Sequence, residues 1–126
     1  MNPHPQSGVA AASTLVFTLY ASPFMSAQEA VGLQLCEQYW GAPEVRTKLR
    51  ADCGCVGRYF ASIKADPIDI EVHLRVFASV YAGKVQPEAD ALRTKFGAER
   101  YQAALERSRD FLSGMITRGG CKLGPA

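Results

Sequence analysis

A chain of 126 residues with a formal net charge of +2, both signs mixed along it, forms one domain at most. It has no clustered basic face of the kind that nucleic-acid binding requires, and no glycine-rich phosphate loop. The charge is unevenly placed: residues 1–28 hold no Asp, Glu, Lys or Arg, and every charged side chain lies from Glu29 onward.

The uncharged segment contains the apolar run VAAASTLVFTLYA at residues 9–21. That run is too short to span a bilayer, which takes about 20 residues, and it suits the apolar core of a secretory signal. Pro23 breaks the run, and the small residues Ser26 and Ala27 precede Gln28. The start MNPHPQSG lacks a basic residue, and Met25 is a departure three residues before the cut. The expectation is a signal peptide over 1–27, cleaved after Ala27, and a helical four-cysteine domain over 28–126. That domain would be periplasmic or secreted, with no stable membrane insertion.

Helical spacing dominates from there. Residues 29–40 place Val31, Leu35, Cys36 and Tyr39 on one face, and Gly41 with Pro43 ends the segment. Val45, Leu49, Cys53, Val56, Phe60 and Ile63 recur at three- and four-residue steps. They fit one helix over 44–64, or a short helix followed by a second one capped by Asp52, and Gly54 and Gly57 weaken the single-helix version.

The stretch DPIDIEVHLRVFASVYAGK is ambiguous. Ile68, Ile70, Val72, Leu74 and Val76 alternate with polar residues, which is strand periodicity. The ends favour a helix: Asp66 suits the N-cap, Pro67 the first turn, Asp69 and Glu71 the positive end of the dipole, and Gly83 the C-terminal cap. Glu71 and Arg75 are spaced to pair on a helix surface. A lone strand without a partner leaves its backbone groups unsatisfied, so helix is predicted. Pro87 then starts a short helix carrying Leu92 and Phe96, ended by Gly97. Tyr101, Ala104, Leu105, Ser108, Phe111, Leu112, Met115 and Ile116 form one unbroken helical stripe, followed by Gly119, Gly120 and Cys121. The predicted fold is all-α, a small four- or five-helix disulfide-stapled domain.

All four cysteines, Cys36, Cys53, Cys55 and Cys121, lie beyond the leader, and an even count in an exported domain reads as a disulfide framework. Side chains two apart on a helix point about 200° apart, so Cys53 and Cys55 suit two different partners better than each other. Cys36–Cys53 with Cys55–Cys121 is slightly preferred; Cys36–Cys55 with Cys53–Cys121 remains open. The competing reading is thiol–disulfide exchange, in which Cys53 and Cys55 sit in the first turn of a helix capped by Asp52 and the dipole lowers a thiol pKa. No βαβ pattern surrounds the motif. Cys-x-Cys also departs from the usual zinc spacing, so no metal or other cofactor is expected.

Other constellations are thin. His73, with Asp69 four residues before it and Ser79 six after, admits a hydrolytic dyad, against a partly buried helix histidine. Tyr39 and Trp40 suit either interface anchors or core aromatics at a helix end. Arg46, Lys48 and Arg50 alternate on a solvated face. No catalytic residue is assigned.

GLQLC near the mature start, CVGRYF in the middle and FLSGMITRGGC at the end give the chain a resemblance, over about a third of its length, to the periplasmic immunity proteins that protect bacteria against type VI secretion effectors. The chain departs from that pattern in the extra Cys53, in ADPIDI without a cysteine, and in Arg58 between Gly57 and Tyr59. The resemblance implies an all-helical fold, no catalysis, and inhibition of another protein by binding. The expected function is a non-enzymatic helical module that binds another protein, as an immunity or inhibitor protein would. The alternatives are a periplasmic thiol–disulfide protein using the Cys-Gly-Cys motif and a structural envelope component.

Overall fold

The structure, a computed structural model, describes residues 25–126; the apolar run at 9–21 and the rest of the expected leader up to residue 24 lie outside the described residues. The chain is a small all-α domain. Helix α1 spans Ala27–Leu35 and continues into a π-helical turn, Cys36–Trp40. Short helix α2 is Pro43–Arg46, α3 Cys53–Ser62, α4 Pro67–Ala82, α5 Val85–Phe96, α6 Ala98–Arg107 and α7 Phe111–Thr117. Two-residue strands β1, Arg50–Ala51, and β2, Leu123–Gly124, pair antiparallel with Arg50 opposite Gly124 and Ala51 opposite Leu123.

The caps fix the element ends. Ser26 accepts a hydrogen bond from the Glu29 amide at 3.1 Å and opens α1. Since Ser26 precedes the expected cleavage point, processing after Ala27 removes this cap. Asp52 accepts from the Cys55 amide at 3.2 Å, which selects the two-helix version of residues 44–64. Asp66 accepts from the Ile68 amide at 2.8 Å, and Gly83 closes α4 at φ 68°, a left-handed conformation that glycine adopts without a Cβ clash.

Helix α4 is the centre of the molecule. One side, with Ile70, Leu74 and Ala78, enters the main apolar cluster with Cys36, Trp40, Val45, Val56, Phe60, Phe111 and Met115. The opposite side, with Val72 flanked by Ile68 and Val76, enters a second cluster with Ala89, Leu92, Tyr101 and Ala104. Helix α1 crosses α3 where two glycines meet. A Cβ on Gly57 would stand 2.6 Å from the Glu29 carbonyl oxygen, and one on Gly32 would stand 3.0 Å from the Gly57 Cα.

Three expectations need correction. The C-terminal stripe is two helices: α6 ends at Arg107 and α7 begins at Phe111. Tyr101 and Ala104 serve the second cluster and Phe111 and Met115 the main one, so the chain turns at residues 108–110 to change clusters. Helix α5 starts at Val85, two residues before Pro87, which sits in the first turn where its missing N–H costs nothing. In α1 and its π turn the expected face of Val31, Leu35, Cys36 and Tyr39 does pack on the main cluster, but it is not the whole buried side: Ala30, Gly32 and Trp40 are buried as well, more deeply than the half-buried Val31, Leu35 and Tyr39. Cys36 and Trp40, four residues apart, share the core side of the turn.

Candidate functional site

The most distinctive local structure is the segment from Gln38 to Thr47. It carries the end of the π turn, the Gly41–Ala42 break and α2. Gly41 is required by close approach, because a Cβ there would fall 2.4 Å from the Glu37 carbonyl oxygen. Pro43 supplies a preset φ at the first position of α2. Two clefts flank this segment.

The first cleft, about 290 Å³, lies between it and α4, lined by Tyr39, Ala42, Val45, Ala78, Ala82 and neighbouring polar side chains. Arg75 stands at its edge within a dense ion-pair network. Its Nε donates to Glu88 Oε2 at 2.7 Å and its Nη1 to Glu71 Oε2 at 2.8 Å. Lys95 Nζ reaches the same Glu71 oxygen at 2.6 Å. The Arg75 guanidinium lies 5.2 Å from the centroid of the Tyr39 ring. Hydrogen bonding to Glu88, then to Glu71, holds the Arg75 pKa above its ordinary value despite desolvation. The cation is therefore fully committed inside the fold, and its role at the cleft is to fix the Tyr39 ring. On the rim, the Glu44 carboxyl is held below its ordinary range by its own backbone amide first and by Lys84 second.

The second cleft, about 400 Å³, lies on the other side of the segment. Trp40, Leu49 and Cys53 form its apolar wall, and Arg46, Thr47 and Arg50 line its mouth. No carboxylate lines it. Trp40 is buried, 2 % exposed, and its Nε1–H donates to the Leu74 carbonyl at 2.8 Å. The adjacent aromatics thus divide: Trp40 is a core residue, whereas the half-buried Tyr39 faces the first cleft. Of the three basic residues in the Arg46–Arg50 stretch, Lys48 reaches back to the Tyr81 carbonyl at 3.0 Å.

The cysteines form Cys36–Cys53 and Cys55–Cys121, with Cα separations of 5.5 and 5.6 Å. Among the described residues none is free. The first bond ties the π turn to the start of α3; the second ties the C-terminal tail to the same turn of α3 and brings β2 against β1. Two disulfides suit an oxidising, non-cytoplasmic setting. No helix among the described residues is long and apolar enough to cross a membrane, and none of their His, Cys, Asp and Glu side chains gather into a group that could hold a metal.

The imagined dyad does not assemble. Asp69, 4 % exposed, is held by Arg107 through two bonds of 2.8 and 2.9 Å, and the Ser79 hydroxyl donates to the Val76 carbonyl. His73 sits among Trp40, Phe77 and Phe111, with ring centroids 6.3, 6.1 and 5.4 Å away. Its Nε2 is buried without a hydrogen-bond partner, and burial lowers its pKa to about 4. The π turn and its two clefts were missed from sequence; the GAP break directly after a Tyr-Trp pair is the signal that points to them. A scan against protein-family models, a search of curated proteins and a search of solved structures each returned no match.

Proposed function

We propose that this is a periplasmic or secreted, non-enzymatic module that binds another protein through the Gln38–Thr47 segment, in the manner of an immunity or inhibitor protein. The observation that carries the reading is the π turn set between two clefts, with Tyr39 presented at one of them by the Arg75 network. Aromatic and arginine side chains in a partly desolvated depression are the residue types that dominate protein interfaces. Single π-helical turns occur frequently at functional sites. The disulfides on either side of α3's first turn hold the segment in place before any partner arrives, which lowers the ordering cost of association.

The test is site-specific photocrosslinking in the cell that makes the protein. A photoreactive phenylalanine at position 39 should give an adduct with another protein, and the same group at exposed position 100 on α6 should not. No adduct at 39, or equal labelling at both positions, would count against the reading.

The thiol–disulfide alternative has one observation in its favour: Cys53 and Cys55 both sit in the first turn of α3, where the helix dipole stabilises a thiolate. It requires one of the two bonds to reduce readily. Turnover of a test disulfide that disappears with Cys53→Ser would establish it in place of the binding reading.

A further inference from the structure

We infer that the cleft beside Trp40 receives an acidic side chain of a partner protein, whose carboxylate is held between Arg46 and Arg50. The inference rests on the protein-binding reading above and specifies the partner's chemistry. Arg46 ends α2 and Arg50 opens β1; both are exposed, both line the cleft, and neither enters an ion pair among the described residues. The carboxylates closest in sequence are already engaged. Glu44 faces Lys84 at 3.4 Å, and Asp52 accepts from the Cys55 amide at the start of α3. Lys122, one residue before β2, adds a further positive charge at the same ribbon.

Elsewhere Arg75, Lys84, Arg93, Lys95 and Arg107 are ion-paired, while Arg58, Lys64, Arg100, Arg109 and Arg118 enter no ion pair among the described residues and line neither cleft; Arg46 and Arg50 differ from those in sharing a cleft. At this cleft two guanidiniums share a wall made of Trp40, Leu49 and the Cys36–Cys53 disulfide, with no internal counter-charge. A low-dielectric wall strengthens whatever electrostatic contact is made against it. The planar guanidinium matches a carboxylate fork, and charged hydrogen bonds of this type are stronger than neutral ones. A cleft of about 400 Å³ takes one side chain with its flanking groups, not a whole helix or a strand of nucleic acid. The apolar wall also favours an aliphatic neighbour beside the carboxylate, so the fitting occupant is an acidic residue next to a leucine-like one on a partner's loop.

Trp40 is the chain's sole tryptophan and lines this cleft, so its fluorescence reports the site directly. The probes are the acetylated, amidated peptides Leu-Glu-Glu-Leu, its Gln counterpart and its Lys counterpart, titrated into the oxidised protein with amide chemical shifts followed in parallel. The Glu peptide should perturb Trp40, Thr47 and Ala51 and bind about tenfold more tightly than the Gln peptide, a difference that shrinks with added salt. Arg46→Glu/Arg50→Glu should abolish that preference, with circular dichroism and the thermal midpoint showing that the fold is intact.

Equal binding of Glu and Gln peptides overturns the inference. So does equal binding of inorganic phosphate or an oligothymidylate, which would mark a general anion site. If the Gln or Lys peptide instead seats at Tyr39, the acidic-partner inference fails while the protein-binding reading survives. Position-39 crosslinking without any Glu-peptide response at Trp40 separates the two in the same way.

Discussion

Acidification should destabilise this protein through His73 before general carboxylate titration becomes important. The imidazole lies against Trp40, Phe77 and Phe111, and its Nε2 is enclosed with no acceptor or donor within reach. Protonation there would bury a cation among aromatic edges without a counter-ion, which is why its pKa falls to about 4 from the ordinary value of 6.5. The sign follows from which state binds the proton first. Above about pH 7 both states are neutral at this residue and stability is unaffected. As pH falls from 6.5 towards 4 the unfolded chain takes up a proton that the folded chain refuses, so stability is lost across that window. The loss is about 2 kcal/mol at pH 5 and approaches about 3 kcal/mol below pH 4. Urea denaturation followed by Trp40 fluorescence at several pH values between 7 and 4.5 measures it. His73→Phe keeps a flat ring in the aromatic site and removes the proton site. Its midpoint should be nearly flat over the range in which the parent protein weakens. Carboxylate effects are common to both proteins and cancel in the comparison. Identical slopes, or a folded-state imidazole titrating near 6.5 by NMR, would refute the argument.

Four further outcomes are expected. Cys55→Ala/Cys121→Ala opens a loop of 66 residues and should cost roughly 4 kcal/mol by chain-entropy reasoning, with amide exchange at Ala51 rising as the β1–β2 ribbon frays. Gly57→Ala drives a Cβ to 2.6 Å from the Glu29 carbonyl and should cost about 1–3 kcal/mol in urea midpoint, whereas Gly124→Ala, with open space around it, should be silent. Arg107→Ala strips the partner from the buried Asp69 carboxylate and should lower the urea midpoint at neutral pH, by more than Arg109→Ala on the same surface. Expressed from residue 1 in a Gram-negative host, the protein should be recovered from the periplasm starting at Gln28, and it should be about 1 kcal/mol less stable than a version that retains the Ser26 cap; a cytosolic product beginning at Met1 would overturn the export expectation.

What could be read from the sequence was mostly what acts locally. Asp52, Asp66 and Gly83 mark helix ends through bonds to residues two to four positions away, so their roles are visible in a short window. The break at residues 108–110 was not visible, because the apolar stripe runs through it at helical spacing. Only the three-dimensional fact that Tyr101 and Phe111 belong to different clusters requires the turn. The candidate site was hidden for a similar reason. Arg46 and Arg50 look like an ordinary solvated face until the folded chain shows a cleft with an apolar wall and no acid. Tyr39 and Trp40 are adjacent letters of the same type, and only the packing around them shows that Trp40 is buried in the core while Tyr39 is half-buried at a cleft.

The alternation at Ile68, Ile70, Val72, Leu74 and Val76 shows how a helix can imitate a strand. A helix with one buried face carries apolar residues at steps of three and four. Helix α4 is buried on two sides, and each side has its own four-residue step: Ile68, Val72 and Val76 towards α5 and α6, and Ile70, Leu74 and Ala78 towards the main cluster. The two series are offset by two residues, and two interleaved four-residue steps offset by two produce a period of two. Periodicity alone cannot separate this case from a half-buried strand, since the same letters serve both. The ends can separate them. A strand has no use for a capping aspartate, a proline in its first turn or a left-handed glycine after its last residue, and each of these has a bond or dihedral in α4 that uses it. Where a strand-like alternation is framed by helix caps, the physical reading is therefore a central helix packed on both faces. Such a helix has little free surface of its own, so a partner of the kind proposed would have to meet the elements at its edges, among them the Gln38–Thr47 segment.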